Sequence, residues 1–420
     1  MPDDHLWWRV AWRNLWRNRG RTWITVSALA FGYLSSVVMV GLSDGMGAQL
    51  VENGTGLLIG QAQVHAEGYL PERSLHGTIG GPEGTDVEAL LARLEGHPDV
   101  RRAAPRLYGA GLVSGGDHTE AAVLLGIDAE RERDVTTLLD HVTAGRPPRA
   151  GAREVAVGAE MARQLGVSIG EELVLVAPAA DGSMGNDLYV LVGTFDTGTP
   201  GVDGAYAVLA LEELQSLVAM EPARIHEVAL AVSRPVDTPA IAADLAASLG
   251  DDLPPLEVRP WTELRPELAE SVALVDSLNF VIVVIIFAMA VFGVANTLII
   301  GTFERTREFA VVRALGSSTG SIARTVVYEA VVLGALALAA GALATWPLLV
   351  WWHNDPPDLS SVVGGFSWSG SQWRPVLRVE YSADTPVIAA VALFLTAVVA
   401  ALYPAWKAAR IPPADALAGR

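Results

Sequence analysis

Four long runs without a charged residue constrain this chain more than any other feature: residues 22–43, 277–303, 330–352 and 385–406. At ~1.5 Å per residue, each run is long enough as a helix to cross ~30 Å of hydrocarbon. Arginines set the expected orientation, because basic loops stay on the cytoplasmic side. They cluster at residues 13–21 before the first run and 305–324 after the second, and Lys407 and Arg410 follow the fourth. Both termini and the loop between runs two and three are therefore expected inside. The predicted organisation is an interfacial helix (1–21), a first span (22–43), an outer domain with helical stalks (44–276) and a second span (277–303). A coupling loop running into the next helix (304–329), a third span (330–352), a short outer loop (353–384), a fourth span (385–406) and a tail (407–420) complete it. Trp351, Trp352, Trp368 and Trp373 at the outer loop are expected interfacial anchors. The fold class is an α-helical membrane protein of four transmembrane helices with an α+β domain inserted between helices one and two.

Residues 6–19 read LWWRVAWRNLWRNR. Trp8, Trp12, Leu15 and Trp16 share one helical stripe, and Arg9, Arg13 and Arg17 recur every four residues beside it. That pattern suits a helix lying in the headgroup region, with arginines toward anionic lipid. The run that follows is longer than a signal-peptide core and comes late, which argues against a cleavable signal.

The net charge of −18 is uneven, with most acids in the middle of the chain. An acidic balance of this size argues against nucleic acid as a partner. With no cysteine, disulfides, thiolate metal sites and lipidated cysteines are excluded. In the outer segment, residues 59–66, 120–127, 172–176, 188–195 and 227–232 read as strands. Residues 86–95, 131–140, 159–165, 211–218 and 239–249 read as helices. Gly/Pro clusters at 80–84, 145–151 and 178–185 punctuate an α+β domain of one or two lobes. The second span is expected to continue outward through residues 261–276 as a stalk, and the first through 44–53.

The loop after the second span carries both signs of charge and an apolar stripe. Glu304 and Arg307 have a spacing that permits pairing on one exposed turn. Phe309, Val311, Val312 and Leu315 supply apolar side chains, and Gly316 follows where a helix would stop. We expect a short amphipathic helix that docks a cytoplasmic partner.

Several chemistries are excluded. A phosphate-binding G-x-x-x-x-G-K-[ST] loop needs a lysine after glycines, and the single lysine, Lys407, precedes Ala408 and Ala409. Gly316, Ser318 and Gly320 spell G-x-S-x-G, yet no buried strand is expected before them. A helix-ending glycine with an N-capping serine is the simpler account. The histidines show no metal-binding spacing. Asn279 and Asn296 are polar within the second span, and Asn296 is read as an interhelical hydrogen bond. No charge sits deep in a span, so any transport work must draw energy from elsewhere.

The loop ERTREFAVVRALGSSTGSI, the ending YPAWKAARIPPADALAG and the outer segments VLLGIDAERE, VAVGAEMARQLGVSIGEELVL and LVGTFDTGTPGVDGAYAVLALEELQSL carry a resemblance across essentially the whole chain. The chain resembles ABC-superfamily permeases of the lipoprotein-releasing (LolC/LolE), macrolide-exporter (MacB) and FtsX types. The resemblance implies a non-catalytic permease of the inner membrane, most like the lipoprotein-releasing kind. It implies that Glu304, Arg305, Arg307, Glu308, Val312, Arg313, Leu315 and Gly316 form the coupling helix on a separate ATP-binding subunit. Two such ATPases would serve two permeases, identical or homologous; ATP and Mg would sit in the ATPase, and this chain would bind no cofactor or metal. Work would pass by mechanotransmission to a lipoprotein or other amphipathic substrate in the outer leaflet, with a periplasmic chaperone or adaptor receiving it. Acyl chains would enter between spans one and two, where Met39, Leu42 and Met46 face Val275, Leu278 and Ile282. Ordinary packing is the plain alternative for those six. Drug or peptide export, or signalling to a cell-wall enzyme, are the alternative functions.

Overall fold

The computed structural model describes residues 4–82, 84–250, 254–359, 366–368, 371–373, 376–380 and 384–410. The tail 411–420 and the side chains of Trp368 and Trp373, expected as anchors, lie outside the described part. In chain order the helices are α1 (Asp4–Arg17), α2 (Arg19–Gly56), α3 (Val87–Glu95), α4 (Ala129–Glu132), α5 (Ala159–Leu165), α6 (Pro200–Asp203), α7 (Leu211–Leu217), α8 (Thr238–Leu249), α9 (Trp261–Leu264), α10 (Pro266–Glu304), α11 (Thr306–Ala314), α12 (Thr319–Asn354) and α13 (Asp384–Ala409). The chain divides into two units: Met1–Met46 with Leu274–Ser361 and Val376–Arg420, and Gly47–Ala273 with Val362–Pro375.

In the first unit, α2, α10, α12 and α13 are each long and apolar enough to cross a membrane. Half of the most apolar window of α2 is buried within the chain, and 44% and 39% of those of α12 and α13, against 6% for α10. Phe280, Met289 and Phe292 of α10 are correspondingly exposed. Small residues let the other helices approach closely, the usual solution where lipid offers no hydrophobic drive. A Cβ on Gly341 of α12 would stand 2.9 Å from the Tyr33 ring and 3.2 Å from the Ala30 carbonyl oxygen of α2. Helix α1 packs through buried Ala11 and Leu15, while Trp12 is exposed and the partly exposed Trp8 ring lies 5.1 Å from that of Tyr328. The stripe expected from Trp8 through Trp16 is thus divided among an inward residue, Leu15, a half-buried Trp16 and the exposed indoles of Trp8 and Trp12.

The second unit is built on strands β1 (Ala62–Ala66), β2 (Ile79–Gly80), β3 (Val100–Gly115), β4 (His118–Ile127), β5 (Val142–Gly145), β6 (Glu154–Gly158), β7 (Glu172–Pro178), β8 (Met184–Phe195), β9 (Tyr206–Ala210), β10 (Arg224–Ile225), β11 (Glu227–Val232) and β12 (Leu256–Pro260). The large sheet runs β12-β1-β11-β3-β4-β9-β6-β8-β5, and β7 pairs with both β3 and β8. The pairings β3-β4-β9-β6-β8-β7 therefore close on themselves. Leu107, Leu124, Leu175, Leu191 and Leu209 from these strands pack with Met161 and Leu165 of α5 and Leu214 of α7. A second core lies where α3 and α8 cover β1, β11 and the start of β3, through Leu90, Leu94, Val228, Leu230, Ile241 and Leu245. The long strand β3 serves both cores.

Strand β3 interrupts its apolar pattern with Arg106, which is fully buried. Its guanidinium donates to Glu132 at 2.6 Å and to Glu227 at 3.1 Å, and the Tyr108 hydroxyl donates to Glu227 at 2.9 Å. A buried charge survives only when paired and hydrogen-bonded in this way. This pairing also corrects the helix expected over residues 131–140. The chain instead makes α4, turns so that Glu132 reaches Arg106 and accepts from Thr136 at 2.5 Å, and then forms a 3₁₀ turn at Leu138–His141. The buried Glu132 carboxylate sits where the helix breaks. Burial pushes Glu227 upward, and the neighbouring His65, Arg106 and Tyr108 outweigh it, holding its carboxyl down at about 2.

Candidate functional site

The connection between α10 and α12 is assembled from helix-end chemistry. Arg305 leaves helical geometry (φ −108°, ψ 11°), so α10 ends at Glu304 and α11 starts anew at Thr306. At the other end Gly316 has φ +98°. Its N–H donates to the Arg313 carbonyl, and the Ser317 N–H donates to the Val312 carbonyl. Those two bonds define a Schellman stop, which needs a left-handed residue and so favours glycine. Ser318 then caps α12, its side chain accepting from the Ser321 N–H at 3.3 Å. The G-x-S-x-G match is a helix stop followed by a helix start.

The apolar residues of α11 divide between two directions. Phe309 and Ala310 are buried, and Phe309 packs with Ile322 and Val326 of α12 and Ala405 and Ala408 of α13. Val311, Val312 and Leu315 are exposed, Leu315 at 82%. Arg305 and Arg313 are internal ties: Arg305 lies over the Phe309 ring, and Arg313 donates to the Ala409 carbonyl at 3.4 Å. Arg307, Val312 and Leu315 remain on the outward face. Lys407 lies over the Phe303 ring at 4.3 Å.

The expected Glu304–Arg307 pair does not form, because the break at Arg305 puts the two on different helices. Glu304 instead accepts from Arg21 at 2.7 Å. Glu308 accepts from Arg17 at 2.8 Å and faces Arg305 at 3.3 Å. Arg305 reaches Glu329 of α12 at 2.6 Å, and Glu329 also accepts from Asn14 of α1 at 2.7 Å. Partial burial pushes Glu308 upward, but Arg17 and Arg305 hold its carboxyl below the usual glutamate value. The exposed pairs are individually worth ~0–1 kcal/mol. Arg305 and Glu329, each with an 11% exposed side chain, form the largely covered centre of the network. Asn14, Arg17, Arg21 and Glu329 were not anticipated. The signal available for Glu329 was its position as a lone acid beside the third apolar run.

At the other end of α2, the Asn279 amide donates to the Ser43 hydroxyl, which sets α2 beside α10 at that height. Met39, Leu42 and Met46 surround Ser43 along α2, and Val275, Leu278 and Ile282 surround Asn279 along α10. Leu278 and Ile282 are exposed, while Met39, Leu42 and Met46 are half-buried.

Two family models match the chain: a MacB-like periplasmic core domain over residues 22–248 and an FtsX-like permease C-terminal domain over residues 280–413. The lipoprotein-releasing system transmembrane protein LolC of Neisseria meningitidis is 23% identical over 94% of this chain and 93% of its own. The lipoprotein-releasing system transmembrane protein LolE of Haemophilus influenzae is 22% identical over 78% of this chain and 80% of its own. Among solved structures, the periplasmic region of MacB from Actinobacillus actinomycetemcomitans is similar over 52% of this chain and 97% of its own, at 12% identity and a TM-score of 0.36. The chain belongs to the ABC transporter permeases that carry a MacB-like periplasmic core domain and an FtsX-like permease C-terminal domain.

Proposed function

We propose that the chain is the membrane subunit of an inner-membrane ABC system that releases lipoproteins, driven by ATP hydrolysed in a separate subunit. The observation that carries this reading is α11, a short helix fixed from behind by Phe309 and the Arg305–Glu329 pair while Val311, Val312 and Leu315 stand exposed. A rigid helix with an apolar outward face is suited to seat in a partner's groove. The LolC and LolE relatives support the cargo class. Following the arginine distribution, α11 and both termini lie in the cytoplasm and the second unit in the periplasm. Two ATPase copies engage two permeases, identical or homologous, and the nearly unburied α10 supplies the apolar face on which the second permease packs. Acyl chains enter beside Met39, Leu42, Met46, Val275, Leu278 and Ile282, and ATP-driven closure moves the outer domain by mechanotransmission. A periplasmic chaperone accepts the cargo.

The MacB-like core domain keeps a second reading: export of drugs or peptides through a periplasmic adaptor. Co-purification from native membranes with mass spectrometry separates the two. An ATPase with lipidated proteins supports release, an ATPase with an adaptor supports export, and the absence of any ATPase overturns the assignment of α11.

A further inference from the structure

The second unit contains a cavity of about 290 Å³ whose walls include Tyr69, Arg73, Leu75, Tyr108, Val123 and Pro178. Its volume lies at the lower end of the ~300–1,000 Å³ range of small-molecule sites. The walls are held rigidly from behind. Tyr69 is 2% exposed and stacks between His65 and His226, with ring centroids at 5.2 and 5.3 Å. His226 Nδ1 accepts from the Tyr108 N–H at 3.0 Å, so its Nε2 carries the proton and donates to the Leu75 carbonyl at 3.0 Å. One neutral imidazole therefore ties two cavity walls together. The Tyr108 hydroxyl is committed inward to Glu227, which leaves its ring as wall.

Two polar groups at the cavity are uncommitted. The Tyr69 hydroxyl has no hydrogen-bond partner among the described residues, although the side chain is almost wholly buried. The Arg73 side chain is exposed and without an ion pair among the described residues, whereas Arg106 of β3 is fully engaged by Glu132 and Glu227. Burial and, behind it, the Glu227 carboxylate push the Tyr69 hydroxyl up, and the charge of Arg73 acts against that rise. No carboxylate lines the cavity among the described residues. Elsewhere in residues 47–273 acids outnumber arginines by more than two to one, so an anion is repelled from most of this unit.

We propose that this cavity binds a small organic carboxylate with an apolar or aromatic body. The carboxylate accepts from the Arg73 guanidinium and the Tyr69 hydroxyl, a charge-assisted pairing stronger than a neutral one. The body lies against the Tyr69 and Tyr108 rings, Leu75, Val123 and Pro178. This site is independent of the transport reading and stands or falls without it.

The test is fluorine NMR of para-fluorobenzoate titrated against the full chain in lipid nanodiscs, with para-fluorobenzyl alcohol and empty nanodiscs as controls. Saturable binding of the carboxylate with a Kd of roughly 0.1–1 mM is expected, with the alcohol bound much more weakly. Arg73→Gln, an exposed substitution that leaves the core intact, should weaken the carboxylate about tenfold. Tyr69→Phe keeps the ring stack and should weaken it about threefold. No saturable binding beyond empty nanodiscs, equal binding of the alcohol, or binding unchanged in Arg73→Gln would each overturn the proposal.

Discussion

Arg305 and Glu329 lie 2.6 Å apart with nine-tenths of each side chain covered, and they join the first residue after α10 to the body of α12. The same carboxylate holds Asn14 of α1, so three segments meet on one acid. Removing one member strands the others. Glu329→Ala should lower the thermal stability of the purified chain by about 1–3 kcal/mol, less than for a fully buried pair. The double variant Arg305→Met with Glu329→Met should recover part of that loss, because no unpaired charge remains. A double variant as unstable as the sum of the singles would show that the pair acts through something other than its mutual charge.

The two directions taken by α11 can be separated. Leu315→Asp and Val312→Asp change exposed side chains and should abolish stimulation of the partner ATPase while membrane insertion and thermal stability stay near wild type. Glu308→Arg removes the tie to Arg17 as well and should lose stimulation too. Phe309→Ala empties a buried site and should cost about 3 kcal/mol of stability in addition. Stimulation that survives Leu315→Asp in the purified complex would remove the docking role.

The four apolar runs were legible because membrane solvent allows few backbone solutions and each residue reports its own preference. The strands at residues 120–127, 172–176 and 227–232 were legible from alternation and from their Val and Leu content. Strand β3 was not, although it is the longest. Its arginines and Pro105 hide the alternation, and Arg106 becomes an inward residue only when Glu132 and Glu227 arrive from distant sequence. The same holds at α11. Its stop at Gly316 is local chemistry and could be read, whereas Glu304 pairing with Arg21 depends on α1 and α2 folding back beside it. Short-range rules offered Arg307 as partner, and a helix break at Arg305 removed it.

Glu227 gives the second unit a defined acid sensitivity. Its carboxyl is depressed from 4.5 to about 2, so it contributes stability that is complete above about pH 4.5 and is lost as pH falls toward 2. The contribution is at most about 3 kcal/mol. Hydrogen exchange of the β3 and β11 amides should therefore be level above about pH 5, after correction for intrinsic rates, and protection should fall between about pH 4.5 and 2. In Glu227→Gln that acid-dependent loss should disappear from a lower starting stability. An unchanged acid profile in the variant would assign the sensitivity to other carboxylates.

Close packing of α2 on α12 leads to a prediction of the opposite kind, in which nothing is charged. The Cβ position of Gly341 is already occupied by the Tyr33 ring and the Ala30 carbonyl. Gly341→Ala should force α12 outward by a few tenths of an ångström at a cost of about 1–3 kcal/mol. The Tyr33 ring is the movable neighbour and the carbonyl oxygen is not. Combining the change with Tyr33→Ala should therefore relieve only part of the strain, and the double variant should remain less stable than Tyr33→Ala alone. If Gly341→Ala is neutral in thermal unfolding, the helices tolerate wider spacing than their small residues imply.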